Sequence, residues 1–244
     1  MAALIAPGAT MVLADGGVPA VQSPWAPLRW PDDSAACEGT QVAIRLLGDT
    51  LLAAWWRSDS AQAPELRVAR SSNGGIHWDS AGTVGVAPLS RSACRRPPPG
   101  VAMDRVSGTV FLAYFGMTAD SAGIVVGRLV SGGPATAPSA TPTAVPAALV
   151  SPGDAPRAAA IAVDGDTVVI AFQGQGSADG SIWLAISTGT RHIPEVVGEV
   201  SNGETAAFAP MVAFGQARVA VAWNVGRRGP DGPAVVARVG RIRR

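Results

Sequence analysis

VAIRLLGDTLLAAW, from Val42 to Trp55, reads as a short apolar strand, a Gly48-Asp49 turn and a second apolar strand closing on an aromatic residue. The phrase returns as VAMDRVSGTVFLAY from Val101 to Tyr114, as AIAVDGDTVVIAF from Ala160 to Phe172, and as MVAFGQARVAVAW from Met211 to Trp223. The aromatic slot is therefore Trp55, Tyr114, Phe172 and Trp223, at intervals of 59, 58 and 51 residues. Gly and Asp at the turns (Gly48-Asp49, Ser107-Gly108, Asp164-Gly165-Asp166) accept the backbone angles of tight hairpins.

A third apolar strand follows each aromatic: Leu66–Arg70, Val125–Arg128, Trp183–Ile186 and Val235–Arg238. Its small residue (Ala69, Gly127, Ala185, Ala237) lies 14, 13, 13 and 14 residues after the aromatic. Regular strands in repeats of roughly 50 residues predict the blades of a propeller. The expected fold class is all-β: one β-propeller domain over residues 1–244, with repeats at about 41–90, 95–150, 155–205 and 208–244. Fourth strands are expected at Gly82–Ala87, Ala144–Val150 and Glu195–Val200. The last repeat has no outer strand of its own, and Thr10–Ala14 is the candidate to supply it by pairing beside Val235–Val239. That closes the ring and removes an exposed edge. Residues 1–40 then serve as closing strand and capping loop; the alternative is a partial fifth blade.

Bulk composition agrees with a packed domain. Of 244 residues, 48% are hydrophobic and 15% charged, which supplies a sizeable core. All 19 basic residues are arginine, a bias that a GC-rich genome explains, and the net charge of +1 gives no global case for nucleic acid. No apolar run is long enough to span a bilayer. Met1–Ala14 lacks a basic leading region and is broken by Pro7 and Gly8, so it is a poor export signal and any such signal would have to lie upstream of this numbering.

Ser71-Ser72-Asn73-Gly74-Gly75-Ile76-His77-Trp78 resembles an Asp box, the Ser-x-Asp-x-Gly-x-Thr-Trp hairpin of sialidases and other propellers. Asn73 replaces the usual Asp and His77 the usual Thr. Ser71, Asn73, Gly75 and Trp78 carry the pattern, directly after a third strand, where the family places it. Ser131-Gly132-Gly133 and Ser187-Thr188-Gly189 are worn versions in later repeats. The resemblance, covering about residues 40–244, is to the sialidase-like Asp-box propellers. The box is structural chemistry: Asx side chains bond nearby backbone, Gly permits positive φ, and Trp buries the turn.

Catalysis by such a family implies a tyrosine nucleophile with a glutamate, an aspartate acid/base and three arginines gripping a carboxylate. The sole tyrosine, Tyr114, occupies the repeat's aromatic slot, so packing accounts for it. Arg70, Arg128 and Arg238 share one repeat slot beside the box turn and read as a solvated or salt-bridged face. The family's N-terminal Arg-Ile-Pro signature is missing, its nearest string being Arg191-His192-Ile193-Pro194. His77 and His192 with two cysteines offer no metal-ligand spacing. No catalytic residue, metal or cofactor is expected. Asp32-Asp33 near Trp25 and Trp30 reads either as a glycan-binding lip or as a capping loop, and Gly133–Ala147 as a long inter-strand loop.

Cys37 and Cys94 each precede a repeat's first strand, by five and seven residues, and equivalent positions of adjacent blades are neighbours. A disulfide is expected, and with it an oxidising compartment such as the bacterial periplasm. Arg241, Arg243 and Arg244, with Arg227 and Arg228 on the preceding loop, form a local basic patch that, together with Trp25 and Trp30, is the expected partner-binding surface. The resemblance implies two functions. One is a non-catalytic scaffold, an extrinsic subunit or assembly factor of a larger complex, a membrane-embedded photosynthetic one included. The other is a glycan-binding module or degenerate sialidase-type hydrolase.

Overall fold

The computed structural model describes residues 30–31, 35–58, 63–79, 81–86, 94, 96–117, 122–130, 139–144, 157–174, 180–189, 194–202, 206–226 and 234–242. Every regular element among them is a strand. Blade one is β1 (Val42–Arg45), β2 (Leu51–Arg57), β3 (Glu65–Ser71) and β4 (Gly82–Val86), hydrogen-bonded in that order. Blade two is β5 (Gly100–Met103), β6 (Val110–Met117), β7 (Ala122–Val130) and β8 (Ser139–Ala144). Blade three is β9 (Ala159–Asp164), β10 (Thr167–Gly174), β11 (Ser181–Thr188) and β12 (Glu195–Glu199). Blade four has three described strands, β13 (Ala207–Gly215), β14 (Arg218–Val225) and β15 (Ala234–Arg241).

All neighbours within a blade run antiparallel, as hairpin turns between successive strands require. The first strands β1, β5, β9 and β13 contact one another in succession and form the inner edge. The blades then pack face to face. Leu52, Ala54, Trp56 and Val68 of blade one meet Leu112, Tyr114 and Val125 of blade two. Phe111, Ala113 and Phe115 on the other side of blade two meet Ile161, Ile170 and Phe172. Val169, Ala171 and Leu184 meet Val219, Val221 and Trp223 of blade four. The described strands form a β-propeller of four blades.

The arrangement explains the continuous apolar second strands. A strand with a blade on each side is buried on both faces, as β10 is residue after residue, and β2 is equally buried because the Ala36, Trp78 and Ala81 cap covers the face away from blade two. The strand β14 alternates instead, because only one of its faces has a blade against it. The aromatic slot keeps one orientation: Tyr114, Phe172 and Trp223 each point toward the preceding blade. Trp55 points the same way, where Ala36, Trp78 and Ala81 cover it.

One fourth strand differs from expectation. It was placed at Ala144–Val150, inside and beyond a loop read over Gly133–Ala147; the structure puts β8 at Ser139–Ala144, within that loop stretch. Pro142, opposite Gly127, is what made the segment read as loop. An outermost strand tolerates it, since a missing N–H on the solvent edge breaks no ladder bond. Thr10–Ala14 and most of the capping segment lie outside the described residues. Ala36 forms an isolated bridge to Arg57, which brings the chain onto β2 ahead of β1.

Candidate functional site

The turn after β3 is built by side-chain to backbone bonds. Ser71 Oγ accepts from the amide of Gly75 at 2.8 Å, and Asn73 Oδ1 accepts from the amide of His77 at 2.9 Å. Gly74 and Gly75 take positive φ of 69° and 89°, which a residue with a Cβ adopts only under strain. The Gly74 amide donates to Asp49 O, tying this turn to the β1–β2 hairpin, and half-buried Trp78 packs on Ala53, Trp55 and Ala69. The bonds of Ser71, Asn73 and Gly74 and the packing of Trp78 hold this turn onto blade one.

Tyr114 is built into an interface. Its ring is 2% exposed, stands edge-on to Trp56 with centroids 5.8 Å apart, and its hydroxyl donates to Val84 O of blade one at 3.3 Å. Burial pushes the phenol up to about 12, away from the ionised form a nucleophile needs. Two glycines make room for it. A Cβ on Gly85 would collide with the hydroxyl and lie 2.6 Å from Cζ, and one on Gly116 would lie 2.8 Å from Cδ2. Arg70, Arg128 and Arg238 are exposed and sit on the third strands of three different blades, so they do not gather round a common ligand. The Arg238 guanidinium lies 5.9 Å over the Trp223 ring. Among the described residues no group of His, Cys, Asp and Glu could hold a metal ion.

Cys37 and Cys94 form a disulfide with Cα atoms 4.9 Å apart, linking the segment before β1 to the segment before β5. Beside it Arg96 lies 5.4 Å over Trp56, and burial lowers its pKa from the ordinary guanidinium value. Blades two and three are further joined by Asp104 at the end of β5. Its carboxylate accepts from the amides of Val106 (3.2 Å) and Ser107 (2.8 Å), and across the blade boundary from Gly165 (3.3 Å). Burial would raise this carboxyl, but the hydrogen bonds outweigh it and hold the pKa below the usual value. Asp164 repeats the device, accepting from the Gln216 amide of blade four at 3.2 Å.

Among the described residues, no blade lies against the side of blade four that faces away from blade three. Cross-strand registers Met211–Ala222–Ala237 and Ala213–Ala220–Val239 line up small and apolar side chains on the side away from blade three. Val239 is 75% exposed, Val235 70% and Met211 64%. Arg218 and Arg241, register partners, bound this face at one end. On the other side of β15 a groove of about 760 Å³ opens between blades three and four. Leu184, Ile186, Val219, Val221 and Ile242 form its floor; Glu195 and Glu199 of β12 stand on one wall and Arg238 of β15 on the other, with Val239 and Arg241 at the strand edge that the groove shares with the open face.

Of the expected binding residues, Arg241 ends β15 beside this face and Trp30 is partly exposed. Trp25, Arg227, Arg228, Arg243, Arg244, Asp32, Asp33 and His192 lie outside the described residues. Sequence reasoning did not find Trp56, the paired glycines at 85 and 116, the groove or the carboxylate clips. The clips had a signal: Asp ends the first strand in both VAMD and AVD.

No family model and no curated protein matches the sequence. Among solved structures, the phage phi92 endosialidase is similar at a TM-score of 0.53 and 10% identity, over 80% of this chain and 34% of that one. A Trypanosoma rangeli sialidase in complex with the inhibitor DANA follows at 0.46 and 14%, over 77% and 34%. An exo-1,5-α-L-arabinanase from a bovine ruminal metagenomic library gives 0.44 and 14%, over 79% and 71%. The chain thus spans about a third of either sialidase-type structure. At these identities the likeness is one of fold: a sialidase-like β-propeller.

Proposed function

We propose that this chain is a non-catalytic interaction propeller, acting outside the cytoplasm and docking a protein partner on the outer face of blade four. The observation that carries the reading is the row of exposed Met211, Ala213, Ala237 and Val239 with half-buried Ala220 and Ala222 between them, which has the small apolar composition of a face between two blades. Contiguous apolar surface of this kind marks interaction sites, and Arg218 and Arg241 at its margin suit carboxylates on the partner. An extrinsic subunit or assembly factor of a larger complex, membrane-embedded photosynthetic ones included, would use such a face. Tyr114, sealed in an interface with its phenol held protonated, supports the absence of sialidase chemistry. The Cys37–Cys94 disulfide supports an oxidising compartment.

Val239→Asp tests the reading, because the residue is exposed in the isolated chain and its replacement leaves the fold intact. The variant is expected to drop out of the native complex on a blue-native gel of the source membranes and soluble fraction, and the wild-type association to weaken with salt. Unchanged co-migration of Val239→Asp with its partner, or turnover of a fluorogenic sialoside or arabinoside by the purified wild type, would overturn it. The second reading, a glycan-binding or degenerate hydrolase module, has one observation in its favour: exposed Trp30 on a fold shared with an endosialidase. Retention on a glycan array, lost in Trp30→Ala, is the result that selects it.

A further inference from the structure

Three large aliphatic side chains stand in water at one end of the propeller: Leu47, Ile76 and Val106, exposed by 63%, 65% and 88%. Each occupies the tip of a turn, Leu47 between β1 and β2, Ile76 after β3 and Val106 between β5 and β6. The first two turns share an end of blade one, since Arg45 and Ser71 both pair with Leu51. All three are neighbours. The Gly74 amide donates to Asp49 O at 2.9 Å, and a Cβ on Gly108 would lie 3.8 Å from Leu47 Cδ1. None of the tips needs its aliphatic side chain to fold. The amides flanking Ile76 donate to Ser71 Oγ and Asn73 Oδ1, the Val106 amide donates to Asp104, and the Leu46 amide closes the first hairpin on Thr50 O. The equivalent hairpins of blades three and four are built on Asp164-Gly165-Asp166 and Gln216-Ala217-Arg218, with no large apolar residue.

We propose that these tips seat the propeller on an anionic lipid bilayer, with Leu47, Ile76 and Val106 dipping into the boundary between headgroups and acyl chains. Shallow apolar insertion joined to basic side chains is the chemistry of a peripheral membrane surface. Arg45, Arg70 and Arg105 stand exposed around the tips, against exposed Asp49 and Asp79; the Asp104 carboxylate is buried and taken up by backbone amides. Guanidinium groups suit lipid phosphates, and their stems lie along apolar surface while the charged heads stay in water. The next hairpin in the ring exposes Asp164 and Asp166, which an anionic surface repels. That gradient tilts the end of the propeller so that blades one and two lead and blade three stands off. Rigid tips bearing single Leu, Ile and Val side chains fit lipid better than a protein partner, because protein hot spots are dominated by Trp, Tyr and Arg and are poor in Leu and Val. The surface is separate from the docking face of blade four and does not depend on it.

Flotation of the purified full chain with vesicles tests it. The wild type should float with vesicles of equal parts phosphatidylcholine and phosphatidylserine, far less with phosphatidylcholine alone, and less as salt is raised. Leu47→Ser/Ile76→Ser/Val106→Ser should weaken partition at least about tenfold, from the methyl and methylene groups withdrawn from lipid. Its urea midpoint should match the parent. Val106→Ser alone, at the most exposed tip, should give a smaller loss in the same direction should the triple variant fold poorly. Arg70→Gln/Arg105→Gln should reduce binding to the anionic vesicles and leave the weak binding to neutral ones as it is. Val239→Asp, on blade four, should float like the wild type. A wild type that stays in the lipid-free fraction overturns the proposal, as does flotation that is equal on both vesicles or survives the serine variants. Loss of the native complex in the triple variant, with no flotation of the wild type, overturns it too and assigns the tips to a protein.

Discussion

Replacing Gly85 by alanine places one methyl group in the contact between blades one and two. That Cβ collides with the Tyr114 hydroxyl and lies 2.6 Å from Cζ and 2.8 Å from Cε2, inside any tolerable separation. The ring has nowhere to retreat. Trp56 stands edge-on to it at 5.8 Å, and it already lies so close over Gly116 that a Cβ there would sit 3.0 Å from Val86 O and 2.8 Å from Cδ2. Overpacking of this sort costs about 1–3 kcal/mol. Displacing the hydroxyl from Val84 O adds about 1 kcal/mol. In a chain of this size each kcal/mol lowers Tm by roughly 2–4 °C, readable by calorimetry or urea unfolding with the disulfide intact.

The second half of the experiment separates a steric cause from a backbone one. Tyr114→Leu alone opens a cavity and costs about 2–4 kcal/mol. In combination with Gly85→Ala the methyl group enters that space, so the double variant should be less destabilised than the summed singles by at least about 1 kcal/mol. Gly123→Ala is the control, because a Cβ there meets nothing within 4 Å and should change stability by no more than about 0.5 kcal/mol. Additive losses, or a Gly85→Ala protein as stable as the parent, would refute the packing argument.

Three further outcomes follow from the same structure. The sole tyrosine should titrate in ultraviolet absorbance only at about pH 12 in the folded chain; because its folded pKa is raised above the unfolded 10.0, stability should fall as pH climbs past 10, and a phenol that ionises at 10 without unfolding contradicts the burial. Asp104, whose folded pKa is depressed, contributes stability that is fully present above the unfolded value of 3.8 and lost as pH falls through the lower folded one, so Asp104→Asn should flatten the acid limb of a Tm-against-pH curve; an unchanged limb removes the clip from the account. Intact-mass analysis without reductant should find no alkylatable thiol, and Cys37→Ser/Cys94→Ser should cost about 2–5 kcal/mol in urea, with neither loss seen if the bond contributes nothing.

The repeat frame was legible because its determinants are local. Hairpin turns need Gly and Asp, second strands buried on both sides need unbroken apolar runs, and the aromatic slot recurs at Trp55, Tyr114, Phe172 and Trp223 whatever the neighbouring blade contains. The disulfide was legible for the same reason, since two cysteines in matched positions of adjacent repeats must be neighbours. Position β8 was misread because Pro142 argues against a strand until one knows that the strand is outermost, a property of the sheet and not of the segment. Tyr114's dependence on Gly85 likewise spans two blades, and no pattern along one repeat reveals it. The exposed face of blade four is composed like its buried counterparts, so composition alone could not distinguish them.

One repeat position orders these features along the chain. Arg45, Asp104, Asp164 and Gly215 close the first strands of the successive blades. In blades two and three the carboxylate reaches forward to the hairpin amide of the next blade. Arg45 turns back instead, donating to Gly48 O at 2.8 Å, so blade one joins blade two through the disulfide and the Tyr114 contact. Gly215 has no side chain to offer, and the forward linkage stops at the blade whose outer face is exposed. The opposite end of the series is closed differently, with Trp78, Ala36 and Ala81 packed over Trp55. The two ends therefore present unlike surfaces, a capped aromatic one and an open row of alanine and valine. Head-to-tail stacking of copies would press that flat row against the Trp78 cap, where the matching small side chains are already covered. Head-to-tail stacking therefore does not bury the row, and sedimentation of the purified chain tests the proposed partner face: a dimer that forms with rising concentration would assign the row to a second copy pairing it with itself, whereas a monomer leaves it to a different protein.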